Sequence, residues 1–222
     1  MDLFCGYETR IIHVTVGNQT FELLCPSDAD ALLDRFGVAQ RYETDAYLPY
    51  WAQLWPCGLM LADKLMEWGP PSGSPPKALE IGCGLGVVTL SLAHLGYSVW
   101  SSDYEADALE FLRNNLHRNS LPCAELVVID WRERYQELSF DRIFASDILY
   151  ETRYLRPVAE FVHNHLNPQG LAFIADSNRT IADDFETVAK HSGLSVKIFP
   201  AERMDTEKQK LIKGRIFQLA RA

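Results

Sequence analysis

Apolar positions along the chain form short strand-like runs that alternate with helical stripes. Residues 77–81 (Lys-Ala-Leu-Glu-Ile) make a compact apolar run, after which Val88, Leu92 and Leu95 recur at helical spacing up to Gly96, placed as a C′ stop. The pattern then repeats as a strand over Tyr97–Asp103, a helix over 105–119 (Ala106, Leu109, Leu112, Leu116) and a strand over Ala124–Trp131. A strand over Phe140–Tyr150 follows, then a helix over 152–166 that stops at Asn167-Pro168-Gln169-Gly170. Beyond it come a strand over Leu171–Asp176, a helix over Asp183–His191, and strands over Leu194–Pro200 and Arg215–Ala220 joined by a charged loop, 201–213. This alternation predicts an α/β fold round a mostly parallel sheet, with the last two strands as an antiparallel pair at one edge.

Upstream the pattern is different. Residues 10–16 and 20–24 flank Gly17-Asn18-Gln19 and predict a hairpin. Ser27 is placed to cap a short helix from Asp28 to Phe36, ended by Gly37, and the polar stretch 37–49 reads as loop. Pro56 suits the first position of a helix running to Trp68, and the Gly/Pro/Ser stretch 69–76 is a surface connector. Residues 1–45 thus form a small hairpin-and-helix appendage to a main domain, 46–222. Two tryptophans four residues apart, Trp51 and Trp55, either pack the appendage onto that domain or wall a cavity in it.

The composition narrows the function classes. The chain has 222 residues, 47% hydrophobic and 23% charged, with a net charge of −9. No basic surface is implied, which argues against nucleic acid as the main partner. Five scattered cysteines, odd in number and never in a C-x-x-C pair, suit a reducing compartment. No apolar run approaches the length of a membrane span and no signal-peptide pattern opens the chain, so the expectation is a cytoplasmic protein without a membrane partner. The six histidines show no metal-ligand spacing, so no metal site is expected. Oligomeric state is not legible.

The chemistry centres on Gly82, Gly84 and Gly86, which follow the first core strand at every second position. Glycines let the backbone turn sharply and approach a ligand closely. The dinucleotide fingerprint G-x-G-x-x-G would need its third glycine at residue 87, which is Val87. Glu80, two residues before the loop, suits an ammonium group better than a pyrophosphate. Asp103 ends the next strand, where an acid can accept both hydroxyls of a ribose or cap the helix that follows. Cys83 reads as a small side chain packed under the loop rather than a nucleophile.

The run Glu80-Ile-Gly-Cys-Gly-Leu-Gly86 resembles motif I of the class I S-adenosylmethionine-dependent methyltransferases. Upstream, Tyr50-Trp-Ala-Gln-Leu-Trp-Pro-Cys-Gly58 resembles the segment ahead of motif I in the seven-strand protein lysine methyltransferases, particularly those acting on the electron transfer flavoprotein β subunit. Asp147-Ile-Leu-Tyr150 matches their D-x-x-Y or D-x-x-F motif, and the N-P-P-Y sequence of DNA and glutamine N-methyltransferases is missing there. The resemblance, covering about residues 47–177, implies a Rossmann-like seven-stranded sheet with helices on both faces and an inserted final strand. It implies S-adenosylmethionine as cofactor and a protein lysine as acceptor. The implied cofactor site takes in Trp55, Glu80, Gly82, Cys83, Gly84, Gly86, Asp103, Tyr104, Asp130, Trp131, Ser146 and Asp147. Within it, Asp130 can accept from an adenine amino group and Trp131 can offer it a stacking face, or Trp131 merely caps the sheet. Asp147 and Tyr150 are the catalytic candidates; the alternatives are a helix cap for 152–166 and ordinary packing. Three other functions fit less of the chain: N-methylation of a small amine, a cofactor-binding interaction module without turnover, and a nucleotide-dependent oxidoreductase.

Overall fold

The computed structural model describes residues 3–34, 38–45, 47–205 and 209–222, without the side chains of 34 and 39. Three antiparallel strands open the chain: β1 (Leu3–Phe4), β2 (Tyr7–Val16) and β3 (Gln19–Pro26). The hairpin expected about Gly17 is present and longer than the apolar pattern indicated. The helix expected from Asp28 is only a 3-10 turn, Asp30–Asp34. Its cap is Asp28, whose Oδ1 accepts the N–H groups of Asp30 (3.0 Å) and Ala31 (3.1 Å), while the Ser27 hydroxyl donates to the Glu8 carbonyl. The expected stop at Phe36 and Gly37 lies outside the described residues. The stretch read as loop holds a helix, α1 (Val38–Asp45); it is short and mostly polar, with only Val38, Ala39 and Tyr42 apolar, too few to stand out as a stripe.

The main sheet is built from β4 (Lys77–Ile81), β5 (Ser98–Asp103), β6 (Glu125–Val128), β7 (Phe140–Ser146), β8 (Leu166–Asp176), β9 (Leu194–Asp205) and β10 (Lys210–Arg221). They lie in the order β6-β5-β4-β7-β8-β10-β9. The first five run parallel and β10 pairs antiparallel with both β8 and β9, so the final strand is inserted, as expected. The charged residues expected to form a loop over 201–213 instead extend this last hairpin on both sides. An edge strand tolerates charge because one side and one face meet water. Asn167 to Gly170, expected to separate helix from strand, is absorbed as an irregularity at the start of β8.

Helices cover both faces: α2 (Pro56–Trp68), α3 (Val87–His94) and α4 (Ala106–Arg118) on one, α5 (Thr152–His165) and α6 (Phe185–His191) on the other. Parallel strands buried on both faces divide their side chains accordingly. In β4, Ala78 joins the α2–α3 core, while Leu79 and Ile81 join the α5–α6 core. The order in which strands are added reverses at β4, which has β5 on one side and β7 on the other. Such a switch point leaves a crevice at the strands' carboxyl ends.

The N-terminal sheet is fastened to this body by two side-chain amides. β3 is an edge strand, and its outward polar groups are met by Asn115 and Asn119 of α4, four residues apart on one helix face. Asn115 accepts the Leu24 N–H (2.7 Å) and donates to the Leu24 carbonyl (3.3 Å); Asn119 does the same for Glu22 (2.9 and 2.8 Å). Asn115 is fully buried and also donates to the carbonyl of Leu85, inside the glycine loop (3.1 Å). Leaving a buried polar group unpaired costs about 1–3 kcal/mol. Asn115→Ala should therefore lower unfolding stability by about 3 kcal/mol in a urea titration, an unchanged midpoint showing that these backbone groups find other partners.

Candidate active site

A cavity of about 360 Å³ opens over the carboxyl ends of β4, β5 and β7. Every residue singled out in the sequence lines it: Trp55, Glu80, Gly82, Cys83, Gly84, Gly86, Asp103, Tyr104, Asp130, Trp131, Ser146, Asp147 and Tyr150.

The glycine loop forms its floor. Gly82, Gly84 and Gly86 have φ of +67°, +50° and +87°, a left-handed region that L side chains rarely adopt. Their missing Cβ atoms also make room for protein. A Cβ on Gly84 would stand 3.1 Å from the Trp51 carbonyl oxygen, one on Gly82 2.9 Å from Ile148 Cγ2, and one on Gly86 would run into Leu112. The freedom expected for ligand approach is thus used in part to let the loop close against α4 and the segment before α2. Trp51 is the packing tryptophan, its ring against Tyr7 and Phe111. Trp55 is half-buried on the cavity wall, its indole N–H donating to the Tyr50 carbonyl (2.7 Å).

Two buried carboxyls flank the loop. Asp103 Oδ2 accepts the Gly84 N–H (2.9 Å) and Oδ1 the Glu105 N–H (3.0 Å). It therefore ties the end of β5 to the glycine loop rather than capping α4, whose N-cap residue is Glu105. Burial raises its pKa to about 6 against those hydrogen bonds. Glu80 is 1% exposed and accepts the Thr89 hydroxyl, which in turn contacts the Ser101 hydroxyl. Burial lifts it to about 8. Cys83 packs under the loop, its thiol pushed well above the ordinary value by burial and then by Asp103 and Glu80; a neutral thiol is a poor nucleophile.

The next wall follows β6, which ends at Val128, three residues earlier than expected. Asp130 is gripped by the Arg132 guanidinium through Nε (2.9 Å) and Nη2 (2.7 Å), and Arg132 also binds Asp45 (2.6 Å). A carboxylate so paired retains lone pairs for a further donor. Tyr104 is exposed at the rim, with the Arg132 guanidinium 5.5 Å from its ring centroid. Trp131 meets Tyr154 edge-on at 5.7 Å, and its buried indole N–H has no hydrogen-bond partner among the described residues.

The remaining wall holds the Ser146–Tyr150 segment. Asp147 adopts φ +59°, unusual for a non-glycine residue. Its Oδ2 accepts the Cys57 N–H (3.0 Å) in the first turn of α2. The capping role anticipated for Asp147 thus belongs to α2, not α5, whose N-cap is Glu151. Arg179 Nη1 lies 2.6 Å from Oδ1 as an ion pair, off the line of a hydrogen bond. Tyr150 meets Tyr50 (5.4 Å) and Tyr154 (5.2 Å) edge-on, and Tyr50 meets Trp55 (5.5 Å), so aromatic rings run round this end. Tyr50 and Arg179 escaped the sequence reading. Asp176 ends β8 as Asp103 ends β5, and the rule that acids at strand ends face the ligand would have led to Arg179, three residues on.

The lining fits S-adenosylmethionine: two buried carboxyls beside a left-handed loop, and a carboxylate followed by an indole, Asp130 and Trp131, in the adjoining wall. With the strand order, these features define a class I S-adenosylmethionine-dependent methyltransferase, whose cofactor is S-adenosylmethionine. The chain belongs to the lysine methyltransferase family, which it matches over residues 49–189. Among solved structures, the T. thermophilus 16S rRNA methyltransferase RsmC, in complex with AdoMet and guanosine, shares the fold with a TM-score of 0.67. That match is 16% identical and covers 96% of this chain and 51% of that one. The glycopeptide N-methyltransferase MtfA, complexed with sinefungin, has a TM-score of 0.57 at 15% identity over 72% of this chain and 94% of that one. Curated relatives include the protein-lysine N-methyltransferase rrg1 of Schizosaccharomyces pombe, 28% identical over 64% of this chain and 51% of its own length. The protein N-lysine methyltransferase METTL21A of Danio rerio is 31% identical over 45% and 48%, respectively. A ubiquinone biosynthesis O-methyltransferase of Glaesserella parasuis is 32% identical over 47% and 46%. The chain spans about half the length of the curated relatives it matches.

The Glu80 environment makes a pH prediction. Between its usual value of 4.5 and about 8, the folded state keeps a proton that the unfolded state has lost. Stability should therefore fall as pH rises through that window and level off above it. Glu80→Gln should remove this slope and be the more stable protein at pH 8; parallel urea-midpoint curves from pH 5 to 9 would contradict it.

Proposed function

We propose that this protein transfers a methyl group from S-adenosylmethionine to the side-chain amine of a lysine in another protein. The observation that carries this reading is the row of Trp55, Tyr50 and Tyr150 in edge-on contact along the lining of the cavity that also holds Asp147, with Tyr50 40% exposed. Aromatic faces suit the aliphatic stem and the cationic head of a lysine. The lysine-directed family and the names of two relatives support it.

When bound, the cofactor supplies a methyl group already activated by its positive sulfonium. The protein's contribution is therefore chiefly placement. Glu80 is the acid for the methionine ammonium, and Asp103 the acceptor for the ribose hydroxyls. Asp130 and Trp131 hold the adenine, the carboxylate as acceptor for its amino group and the indole as a stacking face. The glycine loop, Tyr104 and Ser146 complete that side. Asp147 and Tyr150 face the acceptor amine. A free lysine side chain has a pKa near ~10.4, so it must shed a proton before its lone pair can attack. Aromatic walls that exclude water favour the neutral amine.

The test is incubation of the purified protein with methyl-labelled S-adenosylmethionine and a cell lysate, followed by acid hydrolysis and amino-acid analysis. Label should appear in methylated lysine, and Asp147→Asn should reduce it by about 10²-fold while cofactor affinity changes far less. Label confined to small molecules, or to protein residues other than lysine, would overturn the reading.

A further inference from the structure

Arg179 is mounted far more firmly than a loop arginine requires. It follows β8 in Asp176-Ser-Asn-Arg179, and Asn178 takes a left-handed φ of +58° to bring the chain round. The Arg179 N–H donates to Asp176 Oδ1 (2.9 Å), and Nη1 donates to Asp176 Oδ2 (3.2 Å). Asp176 is fully buried and also receives Arg215 Nη2 (3.3 Å). That same nitrogen donates to the Arg179 carbonyl (3.0 Å), so backbone and side chain are both held. The mounting aims the guanidinium at Asp147, 2.6 Å away, on the cavity wall. Burial works against the charge of Arg179, but Asp147 and Asp176 outweigh it and keep the group protonated.

The charge arrangement has a consequence for an amine arriving at Asp147. An unpaired carboxylate within about 4–6 Å would favour the ammonium form, raising the amine's pKa by about 1–3 units. That form has no lone pair and cannot accept a methyl group. The neighbouring thiol and hydroxyls are neutral, while three carboxylates here, Asp147, Asp176 and Asp183, share two guanidiniums, Arg179 and Arg215. Cys57 on α2, Tyr50 before it and Tyr150 are kept protonated by burial. Asp176 is paired with Arg179 and Arg215, Asp183 with Arg215 (2.8 Å), and Glu151 with Arg153 (2.8 Å). Arg179 is the cation nearest Asp147 (2.6 Å) and offsets its field, and removing it leaves that carboxylate facing the cavity without a cation.

We propose that Arg179 is a positioning residue for methyl transfer: paired with Asp147, it holds that carboxylate in place and keeps it from trapping the acceptor lysine as its ammonium. The proton leaves the lysine nitrogen for solvent water and its lone pair stays behind. This role rests on the lysine reading above.

The test compares rates of lysine methylation from pH 6.5 to 10 for the wild-type chain, Arg179→Met and Arg179→Lys. The acceptor is a whole-lysate protein fraction and the donor methyl-labelled S-adenosylmethionine. In Arg179→Met the acid limb of the profile should move up by about one pH unit. The rate should then fall about tenfold at pH 7.5 and recover toward wild type by pH 9.5, without a rise in KM. Arg179→Lys, which keeps the charge, should keep the wild-type limb. Calorimetry gives the S-adenosylmethionine affinity of each variant, and the rates are compared at saturating cofactor so that any change in that affinity does not enter the profile. Should Arg179→Met fail to fold, Arg179→Gln is read in the same way. A loss equal at every pH, or an unshifted limb, would overturn the role while leaving lysine methylation standing. A folded wild type that labels no lysine at any pH would overturn the lysine reading, and this role with it.

Discussion

Two strand ends are joined where the Asp103 carboxylate accepts the main-chain N–H of Gly84, and the cavity is shaped by what that junction demands. The loop after β4 must turn back toward β5 within a few residues, which puts Gly82, Gly84 and Gly86 in left-handed conformations. It must also leave space for the Trp51 carbonyl on one side and Leu112 on the other. Asn115 then holds the Leu85 carbonyl from behind, so the loop is fixed by β5, by α4 and by the segment before α2. A ligand that meets this loop meets a surface whose shape is set before it arrives.

The N-terminal sheet shares in that rigidity. Asn115 faces Leu24 of β3 with one set of hydrogen bonds and the glycine loop with another, so one buried amide links the sheet to the cavity floor. On the far side, Asp147 plays a comparable part. It accepts the Cys57 N–H at the start of α2, pairs with Arg179 after β8, and itself ends β7 in a left-handed turn. Acids at strand ends thus serve twice here: they join neighbouring elements and leave polar atoms at the cavity wall.

Much of this was legible in the sequence. The glycine spacing and the acids at strand ends stand out because parallel strands are otherwise near-continuous apolar runs, so a carboxylate at their end breaks the pattern. The sheet, its inserted last strand and the gathering of the expected residues round one cavity followed from those marks and from family resemblance. Helix α1 was hidden because Val38–Asp45 is short and mostly polar, so its few apolar positions did not stand out from a loop. The β9–β10 hairpin was cut short because edge strands carry charge. Partners distant in sequence were hidden altogether. Nothing in the chain announces that Gly84 needs room for a carbonyl at Trp51, or that Asp147 caps a helix 90 residues earlier.

The measurement that bears most directly on the glycine-loop cavity as a cofactor site is calorimetric titration of the purified protein with S-adenosylmethionine, with NADH as control. Micromolar binding of S-adenosylmethionine and none of NADH is the expected result. A sample shown to be folded that binds NADH, or that ignores S-adenosylmethionine, would contradict the roles given to Glu80, Asp103 and the loop between them.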